Sequence, residues 1–250
     1  MSSHRSPGLP MDQDRPNALA ATEDFEFAAL GEARNYRRAL IREFAPYLKG
    51  SVAEVGAGIG QLTAELATVP TITRLVAVEP DDRFAARFRA DHPAQALVHG
   101  TAEALPLGDG WDAIVSVNVL EHIGEDVAEL GRWRGLLAPR RGHLCLFVPA
   151  RPELYAPIDK DFGHFRRYTK PTLRAALATA GFDIVRLHYF NAIGYFAWWA
   201  SFVLLKQRTF KPASVRLFDR AIFPWAHALE RTLLRPPFGQ SLMAIARARA

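Results

Sequence analysis

Two stretches of this 250-residue chain carry residue types whose spacing could do chemistry. The first is Val52-Ala53-Glu54-Val55-Gly56-Ala57-Gly58-Ile59-Gly60, a short apolar strand holding an acid, followed by glycine at every second position. Alternate glycines turn the backbone tightly and let a ligand lie against the main chain. A dinucleotide fingerprint needs its third glycine one position further on, where this chain has Gln61. The pattern therefore fits a nucleoside without a demanding pyrophosphate. The second stretch, Asp159-Lys160-Asp161-Phe162-Gly163-His164-Phe165-Arg166-Arg167-Tyr168-Thr169, is dense in ionisable groups. His164 is the best single general base in it, since an unperturbed imidazole titrates near ~6.5. Asp161 and Tyr168 are further candidates for handling a proton. Arg166 or Arg167 could grip an anionic acceptor. The competing reading is a structural turn in which His164 and Arg167 brace the next helix.

Both stretches need a scaffold that brings them together. Short apolar runs at 51–55, 75–79, 96–99, 113–118 and 143–149 read as strands, with helices between them at 61–67, 83–91, 123–137 and 171–180. Final strands are expected at 182–189 and 242–247 as an antiparallel closing pair. This rhythm predicts an α/β, doubly wound, mostly parallel seven-stranded sheet covered on both faces, with ligands at the strand ends. Residues 1–21 read as disordered, 22–50 as an N-terminal helical cap divided near Gly31, and 51–189 with 240–250 as the sheet domain. Residues 190–239 interrupt it as an apolar helical insertion, which Pro224 should kink. Its run from Ala192 to Leu205 is too short to span a bilayer. The insertion could be an acceptor lid, a homodimer contact or a membrane-surface contact.

Glu54-x-Gly56-x-Gly58-x-Gly60 resembles the first motif of class I S-adenosylmethionine-dependent methyltransferases, a Rossmann-like fold. Glu79, followed by Pro80, ends the second strand, where an acid can accept both ribose hydroxyls. The resemblance then puts Thr101 and the Ala102 backbone N–H at the adenine. Family members commonly carry Asp where this chain has Thr101, and a neutral hydroxyl accepts more weakly than a carboxylate. Glu103 either substitutes for that acid or caps the following turn. The loop Asn118-Val119 would lie along the methionine part of the cofactor. Thus S-adenosyl-L-methionine is the implied co-substrate, leaving as S-adenosyl-L-homocysteine.

The acceptor is less constrained. Tyr36, Phe190, Trp198 and Trp199 could wall an apolar pocket, with His122 beside it. Ubiquinone-type O-methyltransferases resemble this region but bind a metal through Glu-x-x-Glu-His. Here the first acid is Asn118, which lowers affinity for a hard cation, so no metal is expected. The expected reaction is an in-line methyl transfer to oxygen or carbon of a hydrophobic small molecule, with a lipid acceptor or a non-catalytic binding protein as alternatives. Methyl transfer from a sulfonium needs alignment and desolvation more than a catalytic dyad.

Composition narrows the rest. The net charge of +5 comes from bases spread along the chain, with no basic stripe or appended RNA-binding module. The Asn/Asp-Pro-Pro-aromatic signature of base-amine methylation is also absent after the fourth strand, so no nucleic-acid partner is expected. The single cysteine, Cys145, lies in an apolar run and reads as a buried, inert thiol. The first residues hold no apolar core segment, and the expectation is a cytoplasmic protein, at most peripheral to a membrane.

Overall fold

A computed structural model describes residues 31–106, 108, 110–209, 211–232 and 236–250. The expected disordered segment 1–21 and the start of the N-terminal helical cap lie outside them. The first helix lying wholly within the described residues is α1 (Arg34–Phe44). Helical turns at 31–32 are separated from α1 by Ala33, whose ψ of 55° is not helical, so the break falls there and not at Gly31.

Strands and helices then alternate: β1 (Gly50–Val55), α2 (Gln61–Leu66), β2 (Ile72–Glu79), α3 (Asp82–Asp91), β3 (Ala96–His99), β4 (Ala113–Val117), α4 (Asp126–Leu137) and β5 (His143–Pro149). After these come α5 (Pro157–Asp161), α6 (Lys170–Thr179) and β6 (Phe182–Phe190). The inserted segment holds α7 (Ala192–Trp198), a π turn (Trp199–Leu204), α8 (Pro212–Leu217), a second π turn (Phe218–Ile222) and α9 (Phe223–Thr232), before β7 (Ser241–Ala248) closes the sheet. The strand order is β3-β2-β1-β4-β5-β7-β6. β7 runs antiparallel to both of its neighbours, and the other pairings are parallel.

Side-chain alternation along the central strands builds the two sides of the core. Ile114, Leu144 and Leu146 pack with Trp133, Leu137, Leu173 and Leu177 of α4 and α6. Val115, Cys145 and Phe147 point the other way, to Leu40 and Phe44 of α1 and Leu62 and Leu66 of α2. Truncating one of these leucines to alanine costs roughly 2–5 kcal/mol. Cys145 is fully buried, and burial pushes its thiol pKa up, as an inert thiol requires.

Two boundaries differ from the sequence reading for local reasons. β2 begins at Ile72 because its backbone already pairs there with β1, Gly50 against Ile72 and Ser51 against Arg74, so polar residues still belong to the strand. α4 begins only at Asp126, since Leu120–His122 form a separate tight turn. The helix that carries Pro224 is not interrupted there: helical residues run from Pro212 to Thr232, and the wider π turn at Phe218–Ile222 immediately precedes the segment with the proline.

Candidate active site

The glycine loop leaves β1 and folds back against the segment after β4. Gly56 has φ +77°, and a Cβ there would come 2.2 Å from Val119 Cγ2. Only glycine fits. The Gly58 N–H donates to Glu79 Oε2 at 2.7 Å, and the Asp81 N–H donates to Oε1 at 2.9 Å. Glu79 therefore ties the loop to the start of α3 while facing the same cavity. Burial pushes its pKa up, opposed by these two N–H bonds. Glu54 lies deeper. Burial pushes its carboxyl to about 8, opposed by a 2.5 Å hydrogen bond from the Thr63 hydroxyl.

A cavity of about 540 Å³ opens above this loop. Its lining includes Glu54, Gly56, Gly58, Glu79, Pro80, Thr101, Ala102, Asn118, Val119 and His122. Two residues expected there are not in its wall. Gly60 instead caps α2 with φ +88°, and the His92 ring fills the space where a Cβ would stand. Glu103 turns outward and pairs with Arg132 at 2.8 Å. Asp81, Phe84, Ile123 and Glu129 also line the cavity and were not anticipated. Asp81 also caps α3, accepting from the Arg83 and Phe84 N–H groups. Its place directly after Glu79-Pro80, at a strand end, was the available signal.

A second cavity, also about 540 Å³, lies between the strand ends and the inserted helices. Ala33, Tyr36, Asn118 and Phe162 line both cavities, so the two adjoin there. The wall of the second includes Phe147, Trp198, Phe202 and Phe218, together with His164, Arg167 and Glu121.

A buried network fixes the polar part of this wall. Asp159 Oδ1 meets His164 Nδ1 at 2.9 Å and accepts from Arg167 Nε at 2.8 Å, while Oδ2 accepts from the Ala156 N–H at 2.9 Å. Burial works against the Asp159 charge, but the His164 hydrogen bond and the Arg167 charge outweigh it and hold the pKa below the usual value. An ionised Asp159 holds a proton on His164 Nδ1, so in the neutral ring Nε2 is the acceptor. Nε2 is buried without a hydrogen-bond partner, 4.0 Å from Glu121 Oε1. Arg167 also donates to the Ala150 carbonyl at 3.2 Å and lies over the Trp198 ring at 4.4 Å. It thus braces the site as well as facing it.

Several other sequence candidates lie elsewhere. Tyr168 donates its hydroxyl to Asp126 Oδ2 at 2.7 Å, and its ring joins the core under α4, where burial pushes its pKa up. Arg166 pairs with the same Asp126 at 2.7 Å and donates to the Gly124 carbonyl. Extended backbone sends alternate residues to opposite sides, so Arg166 and Tyr168 share one side and Arg167 takes the other. Asp161 is held by the exposed Arg208 and is not in either cavity wall. Trp199 faces outward on the inserted segment. Phe190 sits below the cavity, packed on Tyr36, Phe147 and Phe223. His122 lines the glycine-loop cavity, not the second one, with its ring edge-on to His164 at 4.6 Å.

Glu121, His122 and His164 each offer a ligand atom, all within 4.8 Å of one another. Two imidazoles and one carboxylate suit a transition metal better than magnesium or calcium. The charge of Arg167 already acts on Glu121, which weakens the attraction for a cation.

Comparison with known proteins agrees with this geometry. The profile of a methyltransferase domain family matches residues 29–187. A protein of Mycolicibacterium smegmatis named "Probable S-adenosylmethionine-dependent methyltransferase" is 27% identical over 180 residues, 69% of each chain. Among solved structures, an S-adenosylmethionine-dependent methyltransferase from Mesorhizobium loti is 17% identical with a TM-score of 0.58, covering 84% of this chain and 96% of that one. One from Archaeoglobus fulgidus is also 17% identical, with a TM-score of 0.54 and coverage of 92% and 98%. At such identities the structural likeness concerns the fold. The chain belongs to the class I S-adenosylmethionine-dependent methyltransferase family. S-adenosylmethionine is accordingly its co-substrate.

Proposed function

We propose that the protein methylates an oxygen or carbon of a hydrophobic small molecule seated in the second cavity. One observation carries this reading: the glycine-loop cavity and the largely apolar second cavity adjoin at Tyr36, Asn118 and Phe162. When bound, S-adenosylmethionine supplies a methyl group already activated by its sulfonium. In this reading the glycine loop presents its backbone to the nucleoside, and Glu79 accepts the ribose hydroxyls on lone pairs that its two N–H bonds leave over. Thr101 and Ala102 face the base, and Asn118 and Val119 flank the methionine part.

On the acceptor side, Phe162, Trp198 and Phe202 exclude water, and His164 takes the acceptor proton at Nε2 while Asp159 holds the ring. That arrangement favours an acceptor which loses a proton, such as a phenol or enol. Arg167 could attract an anionic group on it.

Calorimetry with S-adenosylmethionine, followed by detection of S-adenosylhomocysteine across pools of acceptors, tests the reading. The wild type should bind the co-substrate and release product with an apolar acceptor. His164→Ala should lower turnover by about 10²–10⁴ while changing co-substrate affinity little. Unchanged turnover in that variant would remove His164 from the chemistry. Binding without product across broad pools would favour a non-catalytic binding protein.

A further inference from the structure

The inserted segment is apolar on its outside as well as its inside. Along α7 and its π turn, Gly194, Trp198 and Phe202 face inward, while Ile193, Phe196 and Trp199 are exposed. In α9 and the turn before it, Phe223 and His227 face inward, whereas Ile222, Trp225 and Leu229 face solvent. Trp225 is 79% exposed and Leu205 is 65% exposed. Elsewhere among the described residues, the exposed large apolar side chains are Tyr155, Phe165 and Val185. An apolar surface concentrated in this way marks an interaction site.

The outward charge of the segment itself has one sign. The described acids of the segment turn inward: Asp219 accepts from the Asn35 and Tyr36 N–H groups, and Glu230 from those of Asn191 and Ala192. Arg208 and Arg216 hold acids outside the segment, Asp161 and Glu32. Lys206, Lys211 and Arg220 are exposed and supply outward positive charge. Leu217 and Ile222 are exposed and also line the second cavity, so the apolar surface continues into its mouth. No described helix is long and apolar enough to cross a membrane. Exposed tryptophan and leucine beside lysine and arginine, with no exposed acid among the described residues of the segment, complement an anionic bilayer surface.

We propose that the outer face of the inserted helices docks on an anionic lipid bilayer, with the mouth of the second cavity turned to the lipid. The acceptor is then an amphiphile that reaches the site from the membrane. The acceptor half of this proposal rests on the reading of the cavity given above; the docking half does not.

Flotation of the full chain with phosphatidylcholine vesicles, with and without phosphatidylglycerol, tests it. The protein should float with the mixed vesicles, bind the neutral ones at least about tenfold more weakly, and release at about 0.5 M salt. Trp225→Glu combined with Leu229→Glu should weaken binding more than about tenfold, and Lys206→Ala or Arg220→Ala about fivefold each. All these variants should retain calorimetric binding of S-adenosylmethionine, which separates lost docking from lost folding or a failed cofactor site. Absence of flotation by the wild type, or variants that float like it, would overturn the proposal. So would a lipid-free dimer in sedimentation velocity that the Trp225→Glu, Leu229→Glu protein cannot form, because the face would then belong to a second copy.

Discussion

The two adjoining cavities are walled by different kinds of structure. The glycine-loop cavity is built from strand ends: β1, β2 and β4 run directly into Gly56, Pro80 and Asn118, and glycine backbone forms part of its wall. The second cavity has a strand-end floor but a roof of short helices joined through π turns, with side chains as its wall. A backbone wall tolerates few substitutions and suits a ligand that never changes. A side-chain roof can be re-lined without disturbing the sheet, which suits the part of the site that chooses the acceptor.

The largest effect that can test this contrast is at Gly56. Gly56→Ala forces a side chain into left-handed backbone and against Val119. Strain and clash together should cost on the order of 2 kcal/mol or more, lowering Tm by roughly 4–8 °C. S-adenosylmethionine affinity should fall with it, by calorimetry. His164→Ala is the counterpart on the other side of the junction, with turnover lost and affinity kept. If both variants lost affinity equally, the two cavities would not be separable in function.

A smaller effect is expected at Glu54. Its folded pKa of about 8 lies above the ordinary carboxylate value of ~4.3. A raised folded pKa contributes stability at low pH that is lost as pH rises through the folded value. Relative to Glu54→Gln, the wild-type Tm should therefore fall as pH rises from about 4.3 towards about 8. Parallel melting curves for the two proteins across that range would contradict the buried environment assigned to Glu54.

The smallest effect concerns Glu121, His122 and His164. With Arg167 acting on Glu121, we expect EDTA to leave turnover unchanged. Loss of activity restored by a transition metal would reassign the three residues as ligands.

The same contrast explains what was legible in sequence. Local rules announced the glycine loop: alternate glycines, an acid at the next strand end, and continuous apolar strands. Those rules also gave the sheet, including its antiparallel closing strand. The acceptor side depends on which way side chains turn over short, irregular stretches. Asp159 to Tyr168 was recognisable as a polar cluster. Sequence did not reveal that Asp126 draws Arg166 and Tyr168 away, or that Arg208 holds Asp161, because both partners are remote in the chain. The apolar insertion was visible as composition. Which stripe turns inward is set by remote partners, with Asp219 held by the Asn35 and Tyr36 N–H groups and Glu230 by those of Asn191 and Ala192.

The most direct measurement of the central claim is an experimental structure with S-adenosylhomocysteine bound. The nucleoside should lie against Gly56–Gly58 with its ribose at Glu79, and the sulfur should face the junction of Tyr36, Asn118 and Phe162, open to the His164 side. A ligand seated in the second cavity, or a sulfur turned away from that junction, would contradict the assignment of the two cavities.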